Sequence, residues 1–157
     1  MKSRVAYSGY SLILTVVITV VLVAVCVKSS GELLPFCIVL GVCLILIVLA
    51  FFYAPLQVRA NEKYIIVVSL LRRHRILVSA VESIEFFRPT MGARRIFGSG
   101  GFFGYWGIFN EGDTGRYAAY FGKASDCFLI RMKNGDKYVI GCADCPEMVN
   151  YIKKQLG

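Results

Sequence analysis

This sequence reads as a helical membrane hairpin followed by a small, mainly β domain that one C-terminal helix closes. Three features point there. Two long uncharged runs, 12–27 and 33–58, fill the first third of the chain. Short β-branched and aromatic runs, separated by turn residues, follow Pro55. The tail 144–156 carries its apolar residues at helical spacing. Composition divides the chain at the same place. Hydrophobic residues make up 57% and the mean hydropathy is +0.62, and most of that excess precedes Pro55. The remaining 102 residues, 56–157, suffice for one domain with a modest core.

The first element expected is a membrane span over 5–27 and the second a span over 33–54, joined by the short loop 28–32. A helix rises about 1.5 Å per residue, so each run crosses about 30 Å of hydrocarbon. Lipid offers no partner to a backbone polar group, so an uncharged run of this length reads as a helix. Lys2 and Arg4 ahead of the first run also resemble the basic start of a cleaved signal peptide, but no small-x-small site leads into a polar N-terminus, and a second apolar run follows at once. Val23-Ala24-Val25-Cys26 lacks the small residue that normally precedes a lipidated cysteine. The short connection makes the pair an antiparallel hairpin with both chain ends on one side. Lys2, Arg4, Arg59, Lys63, Arg72, Arg73 and Arg75 lie on that side, while Lys28 is balanced by Glu32 in the loop. The positive-inside rule then places both termini in the cytoplasm, beneath a bacterial inner membrane. Neither span holds a charge, which speaks against an ion or proton path.

The β domain is expected over 55–157. Pro55 ends the second helix. Strands are predicted at 56–60, 64–70, 76–78, 84–87, 117–121, 128–132 and 137–140. Arg72, Arg73 and His74 read as a basic turn before the third of them. Asn134-Gly135, between the last two, is the strongest hairpin signal in the chain. The final helix is predicted over 144–156, with Asp144 as N-cap, Pro146 in the first turn and Lys153 and Lys154 at the negative end. Met148, Val149, Ile152 and Leu156 make its apolar face.

Several short strands capped by one amphipathic helix form a pattern with a known relative. The residues that carry it are Val81-Glu82-Ser83-Ile84, the run from Arg95-Ile96-Phe97-Gly98 through Gly104-Tyr105-Trp106-Gly107, Tyr117 and Tyr120, and Tyr138-Val139-Ile140 leading into Asp144-Cys145-Pro146-Glu147-Met148. In these the chain resembles the bacterial pleckstrin-homology-like (PH-like) domain family. The resemblance covers essentially the whole stretch after Ala54. It implies a strongly bent β-sandwich or partly open barrel with one end closed by the helix. It also implies a module that often sits beside membrane segments and has no catalytic residues to carry over.

The residues themselves leave room for binding and little for chemistry. Six cysteines do not make a disulfide framework: Cys26, Cys37 and Cys43 lie in apolar runs, and three remain without regular spacing. Cys142 and Cys145 have the spacing of a metal or redox pair, yet only Cys127 and the lone His74 could complete a zinc site, so no metal and no cofactor is expected. Without a second histidine or a paired carboxylate, acid–base hydrolysis lacks its usual parts, so the chain is read as no enzyme. The stretch after Pro55 holds fifteen Lys and Arg against nine Asp and Glu, net +6. The cations are dispersed, which argues against nucleic acid and is compatible with anionic lipid or with the ordinary cytoplasmic excess of positive charge. The Gly/aromatic run 97–107 is either a membrane-dipping or peptide-clasping loop, or strand that needs glycines to bend. Candidate contacts are therefore Arg72, Arg73, Arg75, Arg94, Arg95, Phe102, Phe103 and Trp106. The expected function is a membrane-anchored interaction module that binds anionic lipid or a protein segment. The alternative is an assembly subunit of a membrane complex, with the β domain as scaffold.

Overall fold

The computed structural model describes residues 1–90 and 92–156, with the side chain of Asp113 left aside. A short strand, β1 (Lys2–Arg4), precedes two helices, α1 (Gly9–Ser29) and α2 (Leu33–Tyr53). Then come β2 (Gln57–Ala60), β3 (Tyr64–Val68), β4 (Arg73–Leu77), β5 (Val81–Phe86), β6 (Arg94–Gly101), β7 (Gly104–Glu111), β8 (Gly115–Phe121), β9 (Cys127–Met132), β10 (Lys137–Gly141) and α3 (Cys145–Leu156).

Both α1 and α2 have 21 residues, with mean hydropathies of 2.8 and 3.1, long and apolar enough to cross a membrane. Only 6% of each apolar window is buried, so neither is the core helix of a globular domain. α1 starts at Gly9 rather than Val5, because Val5 is buried in the β core and Ser8 caps the helix, its Oγ accepting from Ser11 N–H at 3.1 Å.

The strands form two sheets that do not close into a barrel. One is four-stranded, β1-β2-β3-β4, and antiparallel throughout. The other is six-stranded, β5-β9-β10-β8-β7-β6, with β10 and β8 parallel. The main core lies between them: Val58, Ile65, Val67 and Ile76 face Ile84, Phe128, Ile130 and Ile140. α3 closes one end of it with Met148, Val149 and Ile152. Burial of each such side chain contributes about 1.5–3 kcal/mol.

Among the described residues ten strands replace the seven expected. The Gly/aromatic run forms β6 and β7 rather than an open loop, and β1 adds an edge strand ahead of the helices. The expected basic turn at Arg72, Arg73 and His74 is mostly strand: Arg73, His74 and Arg75 belong to β4, and the turn sits earlier, at Leu70 and Leu71. Asp144 lies just before α3, with its carboxylate accepting from Ser3 Oγ at 2.8 Å.

Candidate functional site

Strand alternation puts successive side chains on opposite faces, so the four-stranded sheet has an inner and an outer surface. The registers align Lys2, Arg59, Ile66 and Arg75 in one cross-strand row, and Arg4, Gln57, Val68 and Arg73 in the next. Val58 and Val67, between the two rows, and Ile65 and Ile76, beside the first, are core residues. The outer surface therefore gathers five exposed cations, Lys2, Arg4, Arg59, Arg73 and Arg75, from three strands. No acidic residue falls in either row, and none of the five joins an ion pair among the described residues. The row of Arg4 and Arg73 is the one nearer the ends of α1 and α2. β2 leaves α2 through Pro55, and Leu71 N–H donates to Phe51 O at 3.1 Å.

Arg72 stands apart from that surface. Its guanidinium lies over the Tyr53 ring, 5.4 Å from the centroid. The same ring stacks on Trp106 at 5.4 Å and 13°. Trp106 is thus 5% exposed, which corrects its reading as an exposed contact: it fastens β7 to the end of α2. Phe102 and Phe103 form the tip between β6 and β7 and pack edge to face. Arg94 and Arg95 are not beside that tip in the strand. They open β6 opposite Asn110 and Phe109, at the other end of the hairpin. Arg95 reaches part of the way back, since a Cβ on Gly100 would lie 3.1 Å from its Nη1. It also borders a groove of about 460 Å³, together with Ile18, Leu46, Leu49, Phe97 and Trp106.

His74, the three cysteines after Pro55 and Glu111 are taken up by packing. His74 points inward between Tyr120 and Tyr138, with ring centroids 5.6 and 5.3 Å away. Its Nε2 is buried and has no hydrogen-bond partner among the described residues. Burial, with the Arg72 charge second, holds its pKa below the usual imidazole value. Cys127, Cys142 and Cys145 are buried thiols. Burial pushes the Cys127 thiol up. Its hydrogen bond to Cys145, then burial, does the same for Cys142. Neither is poised as a thiolate nucleophile. Buried Glu111 accepts from Thr90 N–H at 2.8 Å, from the Thr90 hydroxyl and from Tyr117 O–H at 3.0 Å, pinning the stretch before β6.

The six-stranded sheet has a second apolar face. Phe109, Tyr117, Phe121, Leu129 and Val139 lie there, partly covered by Phe87, Ala93 and Ala124. A cleft of about 360 Å³ remains, bordered by Tyr105, Phe109, Tyr117 and Arg95.

Charge clustering in the sequence signalled Arg73 and Arg75. Lys2, Arg4 and Arg59 were visible as flanking cations, but only the β1–β2–β3–β4 register makes them one surface. Comparison with curated proteins gives no match, and neither does comparison with solved structures. The family model described as "Bacterial PH domain" matches residues 56–156, which takes in β2 through α3. With both sheets, the closing helix and that match agreeing over nearly the whole stretch after Pro55, the chain belongs to the bacterial PH domain family.

Proposed function

We propose that this chain is a membrane-anchored, non-catalytic interaction module. In this reading α1 and α2 cross the bacterial inner membrane, both termini lie in the cytoplasm, and the domain meets anionic lipid headgroups. The observation that carries it is the outer surface of the four-stranded sheet. Five cations with no acidic residue in their rows lie on β1, β2 and β4, in a sheet whose first two strands adjoin the apolar helices in the chain. Each Lys or Arg near an anionic surface is worth about 1 kcal/mol, and that attraction fades within a Debye length, roughly 8 Å at physiological salt. Arg4 and Arg73, in the nearer row, should contribute most.

β1 precedes the spans, so the test uses the full chain in vesicles. Spin-labelled phosphatidylglycerol should associate with it in preference to spin-labelled phosphatidylcholine, and added salt should weaken that preference. Replacing Arg4, Arg59, Arg73 and Arg75 with glutamine should remove it. Equal association of both labels with the unsubstituted chain defeats the reading. For the topology, a C-terminal tag should be labelled only after cells are permeabilised.

One observation favours a second reading, a scaffold for another membrane protein: the half-covered apolar face around Tyr105, Phe109 and Tyr117. A photo-crosslinker at Tyr105 that captures one recurrent membrane protein would support it, and crosslinks to lipid alone would not.

A further inference from the structure

The tip of the β6–β7 hairpin does not face the space beside the domain. It lies along α1. Phe103 N–H donates to Thr15 Oγ1 at 3.0 Å. Gly104 N–H donates to Ser11 Oγ at 3.1 Å, and that hydroxyl donates in turn to Gly101 O. Thr15 is six residues beyond Gly9, roughly 9 Å along the helix axis at 1.5 Å per residue. α1 has 21 residues, about 31 Å, against about 30 Å of hydrocarbon, so a crossing helix has no spare turn to leave outside the lipid. A hairpin bonded to Thr15 is then below the headgroups.

Two further properties fit that depth. In hydrocarbon every backbone polar group needs a partner within the protein. At the tip, Gly101 O, Phe103 N–H and Gly104 N–H use the α1 hydroxyls, while Phe102 O accepts from Ser99 Oγ at 2.7 Å and from Trp106 Nε1 at 3.2 Å. The turn chemistry points the same way. Phe103 has φ +51°, a conformation that Gly or Asn normally takes. The chain follows that rule at the opposite end of the same sheet, where Asn134 and Gly135 (φ +89°) turn between β9 and β10 in an exposed loop. At the tip it places two phenylalanines instead. Phe102 and Phe103, with Thr19, Leu22, Leu46 and Ala50, line an apolar groove of about 390 Å³ between the two helices.

We propose that the tip of the β6–β7 hairpin is inserted among the acyl chains of the leaflet that α1 and α2 enter, as a third membrane element of this chain. The occupant of its apolar surface is phospholipid acyl chain. This rests on α1 and α2 crossing the membrane, and not on the headgroup preference of the basic sheet surface.

Trp106 is the only tryptophan in the chain, so the probe can be moved. The full chain carrying Trp106→Phe with Phe103→Trp is placed in vesicles of chain-brominated phosphatidylcholine, with and without phosphatidylglycerol. A second variant, Trp106→Phe with Phe102→Trp, guards against misfolding of the first. Trp106→Phe with Asn134→Trp marks the water-facing end. The tip tryptophans should lose most of their emission to brominated chains in both lipid mixtures and resist aqueous iodide, while the probe at position 134 should behave oppositely. Quenching of the tip by iodide and not by bromine overturns the insertion, even if the preference for phosphatidylglycerol stands. Protection from both quenchers also overturns it, because protein then covers the tip. Loss of the lipid preference with bromine quenching retained defeats only the headgroup reading.

Discussion

Two residues carry most of the local physics of the β6–β7 hairpin. Gly98 and Gly107 face each other across it, at φ +111° and +121°. A Cβ on Gly98 would lie 2.0 Å from Trp106 O, and one on Gly107 would lie 2.2 Å from Phe97 O. Both clashes are with backbone, so neither can relax by rotating a side chain. Gly98→Ala should therefore lower stability by about 2 kcal/mol or more, since a disfavoured backbone region alone costs of order 1–3 kcal/mol. Gly100→Ala is the control, because it meets only the flexible end of Arg95. Equal unfolding midpoints in denaturant would refute this. That the run needs glycines to bend was legible in the sequence; which two glycines meet was not, because the bulge between Arg95 and Phe97 sets the register. His74 makes the second prediction. Its folded pKa is depressed, by burial first and by Arg72 second, so the unfolded chain binds the proton more readily. Stability should hold above the unfolded imidazole value of about 6.5 and fall as pH drops through it. His74→Phe keeps a ring between Tyr120 and Tyr138 and should remove that part of the acid sensitivity, measured by thermal unfolding across the pH range.

At the scale of elements, β1 is the part that sequence reasoning missed. It has three residues, too few for an alternation pattern, and its partner β2 lies beyond both helices. Its bonds are nevertheless specific. Ser3 Oγ donates to Asp144 Oδ2 at 2.8 Å and accepts from Asp144 N–H at 3.1 Å, which ties the start of the chain to the start of α3. Ala143 N–H donates to Arg4 O at 2.8 Å alongside. Ser3→Ala should cost about 1–3 kcal/mol, because it leaves a charged acceptor without its partner. Hydrogen exchange should show the loss as faster opening at the N-terminal end of α3, and unchanged protection there would count against the tie. β4 departs from the expected basic turn for a different reason. Three basic residues in succession suggest a solvated turn, but alternation in an edge strand sends Arg73 and Arg75 outward and His74 inward. The β9–β10 hairpin and α3 were legible because Asn-Gly and a helical apolar stripe are local signals.

For the whole molecule, the question is whether the helices and the domain move as one body. No local pattern reports this, since the contacts join residues 7–15 and 51–53 to strands far along the chain. The structure answers through a few directed bonds. Tyr7 O–H donates to Pro55 O at 2.7 Å, and Ser8 N–H donates to Gly122 O at 3.0 Å. Tyr53, the last residue of α2, ties that helix to β7 through its stack on Trp106 and to the turn before β4 through the Arg72 guanidinium. Ser11, buried at 1% exposure, bonds two backbone groups of the hairpin at once. Ser11→Ala would strand both groups, at about 1–3 kcal/mol each in a buried site. Tyr53→Ala would remove the aromatic stack, worth about 0.5–1.5 kcal/mol beyond its buried area. The two residues act at different points of one seam, so together they should free the domain without unfolding its core. In the double variant, Trp106 emission should shift to longer wavelength and limited proteolysis should cut near Pro55. Denaturant unfolding followed by far-UV circular dichroism should keep most of its amplitude and midpoint. If proteolysis remains as slow as in the unsubstituted chain, the rigidity of the seam does not depend on Ser11 and Tyr53.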